Sequence, residues 1–138
     1  MSRFTVQQLK PGQRALHVFR VTSADMRAFA QLSGDHNPMH TDESFAVSRG
    51  FDGQVVYGGL LIAQISRLLG MDLPGANGIW CSLRLDFKKP LYVGEEAEVS
   101  AEVTNICESA GLVELRLQLK SQAQVLAQGS AEVVIVSR

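Results

Sequence analysis

The 138-residue chain has little cysteine, few aromatics, no excess of either charge and no long apolar run, and each shortage removes a class of protein. Its two cysteines, Cys81 and Cys107, belong to no CxxC motif. That excludes a disulfide framework or a zinc ribbon, and two reduced, buried thiols are expected instead. No segment reaches the ~20 consecutive apolar residues that a bilayer-spanning helix needs, so no membrane association is expected. The opening MSRFTVQQLK has no apolar stretch, so no secretory signal is expected there and a cytoplasmic location is. Thirteen Lys and Arg nearly balance fourteen Asp and Glu, leaving a net charge of −1. Such a chain has no broad basic field for nucleic acid or an anionic surface. No repeat and no linker interrupt it. What is present, 46% hydrophobic and 20% charged residues, is the balance of an ordinary globular protein, read as one domain over 1–138.

Periodicity divides the chain. Arg14 to Val21 reads as a strand. Thr22-Ser-Ala-Asp25 places a hydroxyl three residues before a carboxylate, a pair that can cap the free amides of a helix start. Met26, Phe29, Ala30 and Leu32 follow at helical spacing, and Gly34 is a suitable stop. A short helix capped by Asp42 is expected to run to Ser48. From Gly58 to Gly70 a second long helix carries apolar residues on nearly every side, which marks it as buried. After Gly78 apolar and polar residues alternate: Leu83, Leu85 and Phe87; Ala97, Val99, Ala101 and Val103; Leu115, Leu117 and Leu119; then a strand over Val125–Val136 with Gly129 as a bulge. The turns at Tyr92–Gly94, Ser109–Gly111 and Gln122–Gln124 fit hairpin links. One buried helix beside long antiparallel strands predicts an α+β architecture, a sheet wrapped around a central helix, which is the hot-dog fold.

The segment GDHNPMHTD is too polar, and too interrupted by Pro38, to form one regular helix. Its Asp, Asn, Gly and Pro suit a surface turn. Asp35, His36, His40 and Asp42 are all metal-ligand types, but Pro38 keeps the two histidines off one helix face, and neither HExxH nor CxxC accompanies them.

A third reading comes from likeness to a family. FAQLSGDHNPMHTDESFAVSRGFDGQVVYGGLL resembles the signature of the MaoC-like, (R)-specific enoyl-CoA hydratases, the PhaJ-like enzymes. Phe29, Ser33, Gly34, Asp35, Asn37, Pro38, His40, Asp42, Ala46 and Phe51 fall in its order, and the later FKKPLYVGEEAEV is similar to the family's strand turn. The resemblance implies interconversion of trans-2-enoyl-CoA and (R)-3-hydroxyacyl-CoA, with Asp35 and His40 as the acid/base pair around one water. It implies that Asn37 orients the loop or the water and that Gly58, at the start of the long helix, offers an oxyanion-hole amide. Tyr57 and Gly59 stand where the family has His and then Met or Leu. Both are expected to touch substrate, and the Tyr cannot serve as a base near neutrality. Arg84, Lys88 and Lys89 form a basic cluster, read either as solvated strand residues or as contacts for the coenzyme A phosphates.

The implied partners are an acyl-CoA or acyl-carrier-protein thioester and a second copy of the chain in a homodimer. Coenzyme A would be part of the substrate, with no separate cofactor and no metal. Two other functions compete. One is a hot-dog acyl-CoA thioesterase, although the 58–70 helix has no Asp or Glu to serve it. The other is a non-catalytic acyl-CoA-binding subunit, which Tyr57 would suit.

Overall fold

The alternating segments pair into one antiparallel sheet. In the computed structural model, which describes residues 1–136, its strands are β1 (Arg14–Arg20), β2 (Gly78–Phe87), β3 (Glu96–Cys107), β4 (Leu112–Ser121) and β5 (Gln124–Ile135), in the spatial order β1-β3-β4-β5-β2. Positions 137 and 138 of the expected 1–138 domain lie outside the described residues. The helices are α1 (Ser23–Ser33), α2 (Pro38–Thr41), α3 (Glu43–Ser48) and α4 (Gly58–Met71).

This is the expected α+β, hot-dog arrangement, with α4 packed on β1, β2 and β3. Alternation turns Val99, Ala101 and Val103 of β3, Leu115, Leu117 and Leu119 of β4, and Ala131 and Val133 of β5 into the core. From α4 they receive Leu61, Ile65, Leu68 and Leu69, spaced four, three and one residues apart along one helix face. Each such Leu or Ile contributes roughly 1.5–3 kcal/mol on burial. The helix is not buried all round, as its composition suggests. Leu60 and Ile62 are half-buried and Ala63 is exposed, because the sheet curls around one side only.

Three details of the sheet differ from the sequence reading. The turn at Tyr92–Gly94 opens β3 but links no hairpin, since β2 and β3 lie apart in the sheet. The two other turns do join neighbours, and Gln122 and Ala123 adopt φ of 52° and 63°, the left-handed pair of a two-residue hairpin. Gly129 is not a bulge. It pairs in register with both Leu85 and Leu117, and the register shifts fall elsewhere, leaving Cys81, Thr104 and Leu126 as the extra residues. A Cβ on Gly129 would lie 1.8 Å from the Arg84 carbonyl oxygen, so glycine is needed there for close approach of β2. Both cysteines are exposed rather than buried. Cys81 is the bulged residue of an edge strand, and Cys107 ends β3 just before a 3-10 turn at Glu108–Ala110.

Gly129→Ala is expected to force β5 from β2 and to cost about 1–3 kcal/mol, the range for overpacking a close contact. A lowered urea midpoint at unchanged slope would show it, and an unchanged midpoint would remove the close-approach explanation.

Candidate active site

The site is built by side chains bonding to nearby backbone. Helix α1 begins at the expected capping box: the Thr22 hydroxyl accepts from the Asp25 amide at 3.2 Å, and the Asp25 carboxylate accepts from the Thr22 amide at 2.9 Å. It ends at Gly34, whose φ of 77° needs a residue without Cβ strain. Ser33 then turns the chain, its hydroxyl donating to the Phe29 carbonyl at 2.6 Å and accepting from the Asp35 amide at 3.1 Å. Asp35 Oδ1 accepts from the Asn37 amide at 3.0 Å, and Asn37 Oδ1 from the Met39 amide at 2.9 Å. Asn37 is thus the N-cap of α2, a single helical turn with Pro38 at its first position. Four residues are too few to show a helical period in the sequence. Asp42 caps α3 as expected, through the Phe45 amide at 3.1 Å.

His40 stands on the last turn of α2 and is half-buried. Its Nδ1 lies 2.7 Å from the Val55 carbonyl oxygen. A carbonyl only accepts, so Nδ1 carries a proton, and it is in the neutral ring that Nε2 holds the lone pair. The Gln54 side-chain amide donates to the His40 carbonyl. Gln54 and Val55 were missed by sequence reasoning, because a carbonyl acceptor has no residue-type signal and Gln54 is not one of the matched motif positions. Among the described residues, neither Nε2 of His40 nor Oδ2 of Asp35 has a hydrogen-bond partner. Each group is held by one atom, and of the two only His40 lines a hollow: Asp35 is exposed beside it in the chain.

Tyr57 connects the two. Its ring stacks on the His40 imidazole, with centroids 4.3 Å apart and planes 28° apart, and its hydroxyl donates to the Asp35 carbonyl at 2.6 Å. The side chain is 1% exposed, so it packs within the protein rather than facing substrate as expected. Burial, and after it the Asp35 carboxylate, raise the phenol pKa above its ordinary value. Gly59 is likewise structural. A Cβ there would lie 2.4 Å from the Phe29 ring, so its bareness accommodates α1.

Gly58 opens α4, and the N-cap Tyr57 makes no side-chain cap to the first turn. First-turn amides lack partners within a helix and sit at its positive end. Gly58 and His40 line one cleft of about 320 Å³, with Leu61, Phe87, Lys88 and Lys89. The basic cluster therefore divides. Lys88 and Lys89 border the cleft, and their amides both donate to the carbonyl of the bulged Leu126, at 2.7 and 3.1 Å. Arg84 does not line the cleft: its side chain is 80% exposed and pairs with Asp86 at 3.7 Å. His40 also borders a second hollow of about 610 Å³, beside Met26, Arg27, Gln31 and the exposed His36. Among the described residues, no three His, Cys, Asp or Glu side chains gather closely enough to hold a metal ion.

Two outcomes follow from these contacts. Asn37→Ala should cost about 1 kcal/mol of stability by uncapping α2, while Asn37→Asp, which keeps the acceptor, should stay near wild type in chemical unfolding. Tyr57 has its pKa raised in the folded state, so the unfolded chain loses this proton first as pH rises past 10.0, the ordinary phenol value. The native state then binds the extra proton, and stability falls with rising pH. Unfolding midpoints of wild type should therefore drop more steeply above pH 10 than those of Tyr57→Phe, and parallel curves would contradict this.

Residues 6–123 match the family described as MaoC like domain. The chain is 38% identical over 123 residues to the (R)-specific enoyl-CoA hydratase of Aeromonas caviae, covering 89% of this chain and 92% of that protein. It is 30% identical over 132 residues to the (R)-specific enoyl-CoA hydratase of Rhodospirillum rubrum, covering 96% and 92%. Among solved structures, the R-hydratase PhaJ1 from Pseudomonas aeruginosa superposes with a TM-score of 0.91 at 28% identity, over 99% of this chain and 88% of that one. The fold, the ordered motif and the extent of these matches agree, and the chain belongs to the MaoC like domain family.

Proposed function

We propose that the chain, acting as one domain, is an (R)-specific enoyl-CoA hydratase, a hydro-lyase that adds water across C2=C3 of a trans-2-enoyl thioester and catalyses the reverse. The observation that carries this is that His40, held through Nδ1, lines the same cleft as Gly58, the first residue of α4. Relatives matched over nine-tenths of their length carry this activity in their names.

Asp35 and His40 grip one water. His40 Nε2 takes its proton as the oxygen bonds to C3, and the Asp35 carboxylate orients the water and steadies the imidazolium. The electron pair of the double bond moves toward the thioester oxygen, where the Gly58 amide and the positive end of α4 receive the charge. The imidazolium returns the proton to C2. Water's hydroxyl ends on C3 and its hydrogen on C2, and no oxidant, reductant or metal is required. General acid/base help of this kind supplies on the order of 10²–10⁴-fold. Lys88 and Lys89, at the rim of an otherwise largely apolar cleft, suit the phosphates of coenzyme A or of an acyl-carrier protein.

The enzyme acts as a homodimer in the cytoplasm. The sheet ends in β2, a ten-residue edge strand, and such edges invite pairing. The half-buried Leu60 and Ile62 of α4 are left for other cover. No helix among the described residues is long and apolar enough to cross a membrane.

Asp35→Asn and His40→Gln should each lower turnover of crotonyl-CoA by about 10²-fold or more, with unfolding midpoints near wild type. The readout is loss of enoyl absorbance without free thiol. Near-wild-type rates in both variants would defeat the mechanism, and thiol release by wild type would make the protein a thioesterase instead.

A further inference from the structure

We infer that Tyr57 is a positioning residue, holding the His40 imidazole and the Asp35 loop in fixed relation to each other and to the start of α4. The inference rests on the hydratase reading above and names a residue through which that site is assembled.

Three independent contacts meet on this one side chain and its backbone. The ring face lies against the imidazole at 4.3 Å, which sets the plane in which Nε2 is presented. The hydroxyl, donating to the Asp35 carbonyl at 2.6 Å, ties down the peptide between Asp35 and His36. The Tyr57 carbonyl accepts from the Leu60 and Leu61 amides at 3.0 and 3.4 Å, so Tyr57 is also the N-cap that fixes where the Gly58 amide stands. The Phe29 ring supports Tyr57, with centroids 4.6 Å apart. Phe29 in turn presses on the bare Gly59. The phenol is therefore confined and cannot swing away from either group it holds.

A neutral phenol suits this task. It is protonated at the pH where imidazole titrates, so it remains a donor throughout the cycle and competes for no proton. A merely space-filling Tyr57 would make a different demand, since phenylalanine would fill the same volume and keep the stack. The hydroxyl is what separates the two roles.

Tyr57→Phe should lower kcat on crotonyl-CoA by roughly tenfold at nearly unchanged KM, the loss expected of a misplacement well short of the ~1 Å that costs about 10²-fold. Tyr57→Leu, which also removes the stack, should lose roughly 10²-fold. Thermal unfolding identifies any variant that does not fold. Amide NMR supplies a readout independent of turnover: in Tyr57→Phe the His36 amide, on the peptide that loses its donor, should shift while amides of β4 stay in place. Wild-type kcat together with an unmoved His36 signal in Tyr57→Phe overturns the inference. A wild-type protein that hydrates no enoyl-CoA would instead bring down the hydratase reading, and the His36 signal would still decide whether Tyr57 holds the loop.

Discussion

Burial of one stripe of α4 against the sheet is the constraint from which the site follows. Leu61, Ile65, Leu68 and Leu69 lock the middle and end of a 14-residue rod, and a helix is stiff enough that its first turn is then fixed as well. Gly58 sits on that first turn, so its amide is positioned by hydrophobic contacts that begin at Leu61, within the same turn, and run on to Leu69. Gly59 extends the constraint to α1. With no side chain at 59, Phe29 lies directly over the helix start, and the polar loop that begins at Gly34 leaves from a helix already anchored there.

Within that frame the two side chains proposed to act on water are held by peptide groups rather than by opposite charges. Asp35 is bound through Oδ1 to an amide and His40 through Nδ1 to a carbonyl. A counter-ion would stabilise one protonation state of each and resist the change a turnover needs. Neutral backbone partners fix direction and leave the second atom of each group for water.

Much of this was legible in the residues. The capping box at Thr22 and Asp25, the stop at Gly34 and the cap at Asp42 depend on side chains bonding within three or four residues, so local chemistry suffices to find them. The alternation of β3 and β4 gave the core, and Asp35 and His40 lay in an ordered motif. What escaped depends on distance along the chain. The Val55 carbonyl is 15 residues from His40, and Tyr57 is 22 from Asp35. A tyrosine before two glycines carries no local sign that it is buried. Glycine serves both bulges and close approach, and at Gly129 only the position of the Arg84 carbonyl decides between them. Nearness in sequence groups Arg84 with Lys88 and Lys89, but only the two lysines line the cleft.

The bulge at Leu126 has a mechanical meaning. By adding one residue to β5, it turns a single carbonyl toward two successive amides, those of Lys88 and Lys89. The cationic rim of the cleft is thereby riveted to the strand beside it instead of hanging from the end of β2.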